Sequence, residues 1–496
     1  MIITNFTIMQ KQLSLLYVIL FSCLNVFSQV TFEKTISSPF DEIITGLGTT
    51  STGEYIISSC QATADTTASL QYTGNLLKMD YNGNLVQRLV FNTPGCFSHM
   101  AGLYRDENGI FIYVTFEKCK CRIDTGYVLS LRQFDENLNL ISSDSIAYSF
   151  MYRYDMTYFR IIRMPDGGIN IWGDYPTDKG RNPIIFQYGS DGHLLHIKPL
   201  EYPHGVNFVS LIPNKNPGFL YNCIAFAGSI NFDFVSCTEN YDYLNTGQVF
   251  LNYFPPISLK EHDGYVYIVG YRHFTADTKY QVACARITPD HTCDNQIIFG
   301  KEGLINDEPA NIQAVDFTDT TSVYIGGSTN IYYPDHYNAS SWFMLNKTDG
   351  SLNSQWMKYY GGDAHYEMYN VAACSDGGCL MAGTRYSLDD PAHKRNIYLL
   401  KVNDQGIPTD IQEPGQAVKV VSSLVFPNPG NGQLTVFTSL KDATFGLSNT
   451  NGQTVVSQPV NNGTTTVNTS ALPAGVYVYR FMNKDKIVES GKWVKE

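Results

Sequence analysis

Leu77-Lys78-Met79-Asp80-Tyr81-Asn82-Gly83-Asn84-Leu85-Val86 holds two apolar runs separated by an Asp-x-x-Gly turn. Asn-Gly and Asp-Gly pairs tolerate positive φ, so a stretch of this kind reads as a β-hairpin. The same arrangement returns at residues 186–195, 344–352 and 400–407. A second theme, a turn followed by an apolar strand, precedes most of these hairpins by about 20 residues. It occurs at residues 52–57, 108–113, 166–171, 216–220, 263–268, 321–325 and 376–381. The spacing is roughly 45 to 60 residues, the range of propeller blades and their loop-bearing variants. A further strand leads into each unit, as at residues 159–163 and 370–373. Four strands per unit is the make-up of a blade.

The two ends of the repeat region belong together. The last unit has nothing strand-like after Ile407-Pro408, whereas Val30-Thr31-Phe32-Glu33-Lys34-Thr35-Ile36 stands alone ahead of the first. That segment is similar to residues 354–360, which close the sixth unit. If it completes the seventh, the ring shuts and no sheet edge stays open. A β-sandwich array or an open solenoid is the competing arrangement, and the distance from residues 30–37 to residues 398–402 decides between them. No helix-period segment of useful length follows residue 30. The expected fold is all-β: a seven-bladed β-propeller over residues 29–412, then a small Ig-like β-sandwich.

Composition agrees. Of 496 residues, 43% are hydrophobic and 13% aromatic, with 34 Tyr and 28 Phe against only 16% charged. Aromatic and β-branched residues suit a half-buried pleated surface. The net charge of −12, with no Lys/Arg run, excludes nucleic acid as a partner, since phosphate binding needs a cationic face. At the N-terminus, Lys11 precedes an apolar run over residues 13–27 that is short for a bilayer and ends at Val26-Phe27-Ser28. This reads as a signal peptide over residues 1–28, with Met9 a possible true start. A lipid-bearing Cys23 is the rival. No second apolar span follows, so no membrane-spanning segment is expected in the mature chain.

Eleven cysteines, one within the signal, leave an even ten, which in an exported chain favours disulfides over metal. The candidate pairs are Cys374 with Cys379 and Cys284 with Cys293; Cys223 and Cys237 are further candidates.

Beyond the linker Glu413-Pro414-Gly415-Gln416 (boundaries 413–421), residues 422–496 carry short alternating strands and turns, the pattern of a small sandwich. Val425-Phe426-Pro427-Asn428-Pro429, Asn449-Thr450-Asn451-Gly452-Gln453, Leu472-Pro473-Ala474-Gly475-Val476-Tyr477 and Gly491-Lys492-Trp493-Val494-Lys495 stand in order at the C-terminal end. They resemble the type A C-terminal sorting domain of the Bacteroidetes type IX secretion system, and the central region resembles a bacterial β-propeller repeat domain. The motif positions are Pro427, Asn428, Pro429, Gly452, Leu472, Gly475, Tyr477 and Lys492. Asn449 stands where the family often has Asp. The resemblance implies recognition by the type IX machinery, and either attachment to the outer-membrane surface or secretion.

Chemistry is sparse. No zinc-protease, nucleophile-elbow, P-loop or dinucleotide motif is present. His193 and His196 sit on opposite faces of an expected hairpin, which is poor metal geometry. The Asp-x-x-Gly turns offer oxygens to Ca²⁺ but lack the downstream bidentate acid. No catalytic, cofactor or metal residue is assigned, and no cofactor is implied. Two aromatic loops remain, with Tyr332, Tyr333, Tyr337 and Tyr366 as ligand-face candidates whose rings either stack on sugars or wedge blades together. The expected function is non-enzymatic binding of a glycan or protein; the alternative is a propeller-fold polysaccharide hydrolase or lyase.

Overall fold

A computed structural model describes residues 29–62, 72–91, 96–119, 127–148, 160–164, 166–177, 180–199, 206–213, 219–226, 230–237, 243–248, 256–274, 279–290, 292–300, 306–331, 339–408, 423–426, 430–438, 440, 442–461, 463–484 and 486–496. Among them every regular element is a strand, and no helix is long and apolar enough to cross a membrane.

The strands of residues 29–408 form successive antiparallel meanders, numbered here as sheets I to VII. Sheet I holds Glu42–Thr49, Tyr55–Ala62, Tyr72–Met79 and Leu85–Phe91. Sheet II holds Cys96–Arg105, Phe111–Cys119, Tyr127–Phe134 and Leu140–Tyr148, and joins sheet I through one ladder pair, Tyr72 with Ser98. Sheet III runs Arg160–Arg163, Ile169–Thr177, Gly180–Tyr188 and Leu194–Pro199, and sheet IV Val206–Pro213, Phe219–Phe226, Ile230–Cys237 and Tyr243–Gln248. Sheet V has Pro256–His262, Tyr265–Phe274, Lys279–Ile287 and Cys293–Phe299. In sheet VI the first strand is split into Asp307–Pro309 and Val315–Phe317, followed by Val323–Thr329, Trp342–Thr348 and Ser354–Gly361. Sheet VII comprises His365–Ala373, Cys379–Tyr386 and Asn396–Val402, and its fourth strand is Phe32–Ile36 from the start of the chain.

That last pairing is the expected one. Phe32 stands opposite Lys401 and Ile36 opposite Ile397, so the outer edge of sheet VII is covered by the N-terminal strand. The first strand of each sheet also packs beside the first strand of the next, and that of sheet VII beside that of sheet I. Apolar clusters fill the gaps between sheets. Tyr55, Ile57, Leu77, Leu380 and Leu399 lie between VII and I. Ile112, Val114, Ile171 and Phe186 lie between II and III, and Phe343, Leu345, Met368 and Met381 between VI and VII.

The turns explain why the motif repeats. Asp80 Oδ1 accepts the amides of Asn82 and Asn84 while its Oδ2 accepts the Asn84 side chain. Asp135 and Asp349 do the same with Asn137 and Asn139, and with Ser351 and Asn353. The carboxylates are thus used inside their own turns. The copy at Asp135 escapes a search for glycine, because the positive-φ place is taken by Leu138 (φ 59°), as it is by Leu352 (φ 60°) in the Asp349 turn. Both leucines are 4% exposed; burial of the side chain opposes the left-handed strain.

The expected pairings of Cys374 with Cys379 and of Cys284 with Cys293 are corrected. Cys284, Cys293, Cys374 and Cys379 carry free thiols. Cys374 packs into the cluster between sheets VII and I, whereas Cys379 packs into the one between VI and VII. Cys284 and Cys293 likewise leave sheet V on opposite faces. Alternation along a strand sends such side chains apart, however short the turn between them. For Cys223 and Cys237 only the backbone is described; they stand opposite Asp233 and Phe219, four positions apart on one ladder.

Residues 423–496 form two further sheets, one of Ser423–Phe426, Gln433–Thr438 and Gly463–Asn468, the other of Thr454–Val460, Ala443–Ser448, Gly475–Asn483 and Lys486–Lys495. They share a core of Leu434, Val436, Phe445, Leu447, Phe481 and Trp493. Tyr477 is 4% exposed, its ring centroid is 5.7 Å from that of Trp493, and its hydroxyl donates to Pro473 O at 2.8 Å. Leu472 packs against the same core. The Leu-Pro-Ala-Gly-Val-Tyr motif therefore closes a corner: its tyrosine ties the incoming turn to the core. Gly452 (φ 81°) completes the Asn449 turn, whose Oδ1 accepts the amides of Asn451 and Gln453. Lys492 is exposed. Pro427, Asn428 and Pro429 lie outside the described residues.

Candidate functional site

Three of the four ligand-face candidates, Tyr332, Tyr333 and Tyr337, also lie outside the described residues. The fourth, Tyr366, is a wedge and not a face: it is 2% exposed, packs on Phe343 and Tyr398, and donates its hydroxyl to Asp363 at 2.6 Å.

The polar groups that do gather stand where sheets VI, VII and I meet, and no motif announced them. Sheet VI contributes through a fault in its first strand. Ala310 N still donates to Gly326 O of sheet VI (3.0 Å), and after it the chain runs along sheet VII. There Asn311 N donates to Met368 O (3.2 Å), Ile312 N to Tyr369 O (2.9 Å) and Val371 N to Gln313 O (2.8 Å). It returns to sheet VI at Ala314, whose carbonyl accepts the Gly326 amide (2.9 Å), and pairs again from Val315. This detour brings Asn311 Nδ2 to 2.7 Å from Glu367 Oε1. Sheet VII contributes through a bulge. Its register shifts between Met368 and Asn370, so Tyr369 is the extra residue. A bulged residue is re-aimed away from the alternating pattern.

Glu308 sits on the short strand before the detour and couples to Glu367. Burial first, then the negative charge of Glu367, pushes the Glu308 carboxyl up to about 7. The Tyr369 phenol is raised by burial and then by Glu367, and drawn back by Arg395. Arg395 is held by Asp41 of the segment entering sheet I: its amide and its Nε donate to Asp41 Oδ1 at 2.8 and 2.9 Å, and Nη2 binds Oδ2. Glu42 N donates to Arg395 O (3.1 Å), so backbone and side chain both clamp sheet VII to sheet I. Burial alone lowers the Arg395 pKa, but Asp41, Tyr369 and Glu367 outweigh it and the guanidinium stays charged. Thr384 faces Glu367 directly across the ladder, 1% exposed, with no hydrogen-bond partner for its Oγ1.

Glu308, Asn311, Glu367 and Tyr369 are each partly open to solvent. Together they present a carboxyl poised between its two forms, a carboxylate, an amide and a phenol. Such a set both donates and accepts hydrogen bonds within a small space. Among the described residues no group of three or more His, Cys, Asp or Glu is placed to hold a metal ion.

Residues 424–496 match the secretion system C-terminal sorting domain family. The match marks the chain as type IX secretion cargo, exported to the cell surface or secreted. No curated protein matches the sequence. Several solved structures are similar over most of the chain at low identity. A fungal alcohol oxidase of the AA5 family in complex with copper aligns over 94% of this chain and 99% of its own, at 12% identity and a TM-score of 0.46. A polysaccharide lyase aligns over 76% of this chain and 100% of its own, at 8% identity and 0.45. PorZ, a surface component of the type IX secretion system of Porphyromonas gingivalis, aligns over 95% of this chain and 71% of its own, at 11% identity and 0.33.

Proposed function

We propose that this type IX secretion cargo is a seven-bladed β-propeller over residues 29–412 that binds a glycan, without turning it over, at the junction of sheets VI, VII and I. In this reading residues 1–28 are the signal peptide, 413–421 the linker and 422–496 an Ig-like sorting domain. The ring of neighbouring first strands and the N-terminal strand on sheet VII support the architecture. A single observation carries the function: the departure of residues 311–313 from sheet VI sets Asn311 against Glu367, beside Glu308 and the bulge at Tyr369. The bulge belongs to the repeat, since the first strands of sheets I, II, IV and V shift register in the same way, whereas the split first strand is particular to sheet VI; mixed donors and acceptors at such a place suit the hydroxyls of a sugar.

The test is a glycan array probed with the mature full chain, residues 29–496, and its Glu367→Gln variant. At least one glycan is expected to bind, with affinity at least tenfold weaker in the variant. Capture of proteins only, or glycan binding indifferent to Glu367→Gln, refutes the reading. One observation favours the hydrolase or lyase alternative: a carboxyl titrating near 7 beside an ionised one is the environment of an acid/base pair. Release of new reducing or unsaturated ends from a bound polysaccharide, abolished by Glu308→Gln, would establish that alternative.

A further inference from the structure

The charges at this junction are unbalanced in a way that selects among glycans. Glu308, Glu367 and Asp41 are acidic, and the cation among them, Arg395, has its guanidinium forked on Asp41 and its amide on the same carboxylate. An anionic sugar would therefore meet Glu367 with the nearby cation already engaged. Glu308 stands directly opposite Ser328, whose Oγ accepts the Met368 amide of sheet VII at 2.7 Å, so its side chain lies on the face of sheet VI turned to sheet VII and Glu367; two neighbouring carboxyls do not both ionise comfortably without a counter-charge between them. Thr384 adds a separate observation: its hydroxyl, 1% exposed on the face of sheet VII that bears Glu367, lacks a hydrogen-bond partner. Directly opposed ladder residues have Cβ atoms about 5 Å apart, so an atom bound by Glu367 is within reach of that hydroxyl.

We propose that the group held between Glu308 and Glu367 is a primary ammonium, so that the glycan recognised carries free amino groups, as a de-N-acetylated hexosamine polymer does. The inference rests on the glycan-binding reading above. An ammonium has three N–H donors, and the two carboxyls and the Thr384 hydroxyl supply three acceptors. A bare Ca²⁺ asks for about six to eight oxygens, whereas no cluster of three or more acids forms among the described residues. Acetylation of the amine removes the charge and two of the donors, so it discriminates sharply.

The experiment is calorimetric titration of the mature full chain with three probes: a glucosamine oligomer, the same oligomer fully N-acetylated, and a uronic-acid oligomer of similar length. The free-amine oligomer is expected to bind at least tenfold more tightly than the acetylated one, with no uronate binding. Glu367→Gln should weaken the free-amine oligomer at least tenfold, and Thr384→Val several-fold. If Glu367→Gln fails to fold, the acetylation pair on the natural chain and Thr384→Val still decide. Equal binding of both hexosamine oligomers, lost in Glu367→Gln, overturns the ammonium and leaves the glycan reading standing. Binding of none of these or any other glycan defeats both. Glu367-dependent binding of CaCl₂ alone replaces the ammonium by a metal ion.

Discussion

The strand at Phe32–Ile36 makes the completion of sheet VII by the N-terminal segment measurable through one contact. Phe32 is 2% exposed, sits among Tyr55, Leu77, Met79, Leu380 and Leu399, and meets the Tyr55 ring edge-on at 5.9 Å between centroids. Removing it as Phe32→Ala should cost about 3–5 kcal/mol, the usual range for a buried aromatic. Its partner across the VII–I gap is Gly83, at φ 75°, where an added Cβ would stand 2.5 Å from Phe32 Cε2. Gly83→Ala alone should cost about 1–2 kcal/mol for the left-handed backbone, plus about 1–3 kcal/mol for displacing the ring. In the Phe32→Ala background only the backbone part should remain. The double-mutant cycle, read by urea denaturation of the mature full chain, is therefore expected to be sub-additive by about 1–3 kcal/mol. Strict additivity, or a cost for Phe32→Ala below about 1 kcal/mol, would show that the N-terminal strand does not close sheet VII in solution.

Glu308 is expected to make stability depend on pH. Its folded pKa of about 7 lies above the ordinary 4.5, so the fold favours the neutral acid. The stability this lends is complete below the ordinary value and drains away as pH rises through about 7. Glu308→Gln should match the natural chain in denaturation at pH 4 and exceed it at pH 8, and equal midpoints at pH 8 would refute the assignment. Tyr477→Phe should cost about 1 kcal/mol in thermal or urea unfolding of the sorting domain, through loss of the bond to Pro473 O; a change within error would mean that packing alone holds the corner. Cys284, Cys293, Cys374 and Cys379 should all take up iodoacetamide in denaturant without reductant, as judged by peptide mass. In the native chain Cys374, its thiol pushed up to about 12 by burial, should stay unmodified at pH 8. Bridged peptides spanning either expected pair would contradict the sheet faces described above.

Turns and strand ends are local chemistry, and they were legible. Asp80, Asn82 and Gly83 form a hairpin because their own side chains and φ preferences say so. The sorting domain was legible for the same reason, since its motifs are corners and turns, with Tyr477 tied to Pro473 four residues before it. Even the closing strand could be inferred, as a unit short of one strand at one end of the chain and a spare strand at the other. One expectation failed where position on a face mattered more than residue type. The pairs Cys374/Cys379 and Cys284/Cys293 were placed by proximity along the chain, whereas strand alternation assigned each side chain to one gap or another; for Tyr366 the structure shows the wedging reading of the two.

The sequence by itself determined the all-β repeat, its turns, the strand that closes it and the domain that sorts it, because each of these is written within a few residues of itself. Only the tertiary structure decided which polar groups meet. Glu308 and Glu367, like Asp41 and Arg395, come from neighbouring sheets, and the detour of sheet VI that helps to bring the first pair together leaves no periodic trace. Packing of whole sheets brings such residues within reach of one another, and that packing is a property of the assembled sheets, not of any segment in them.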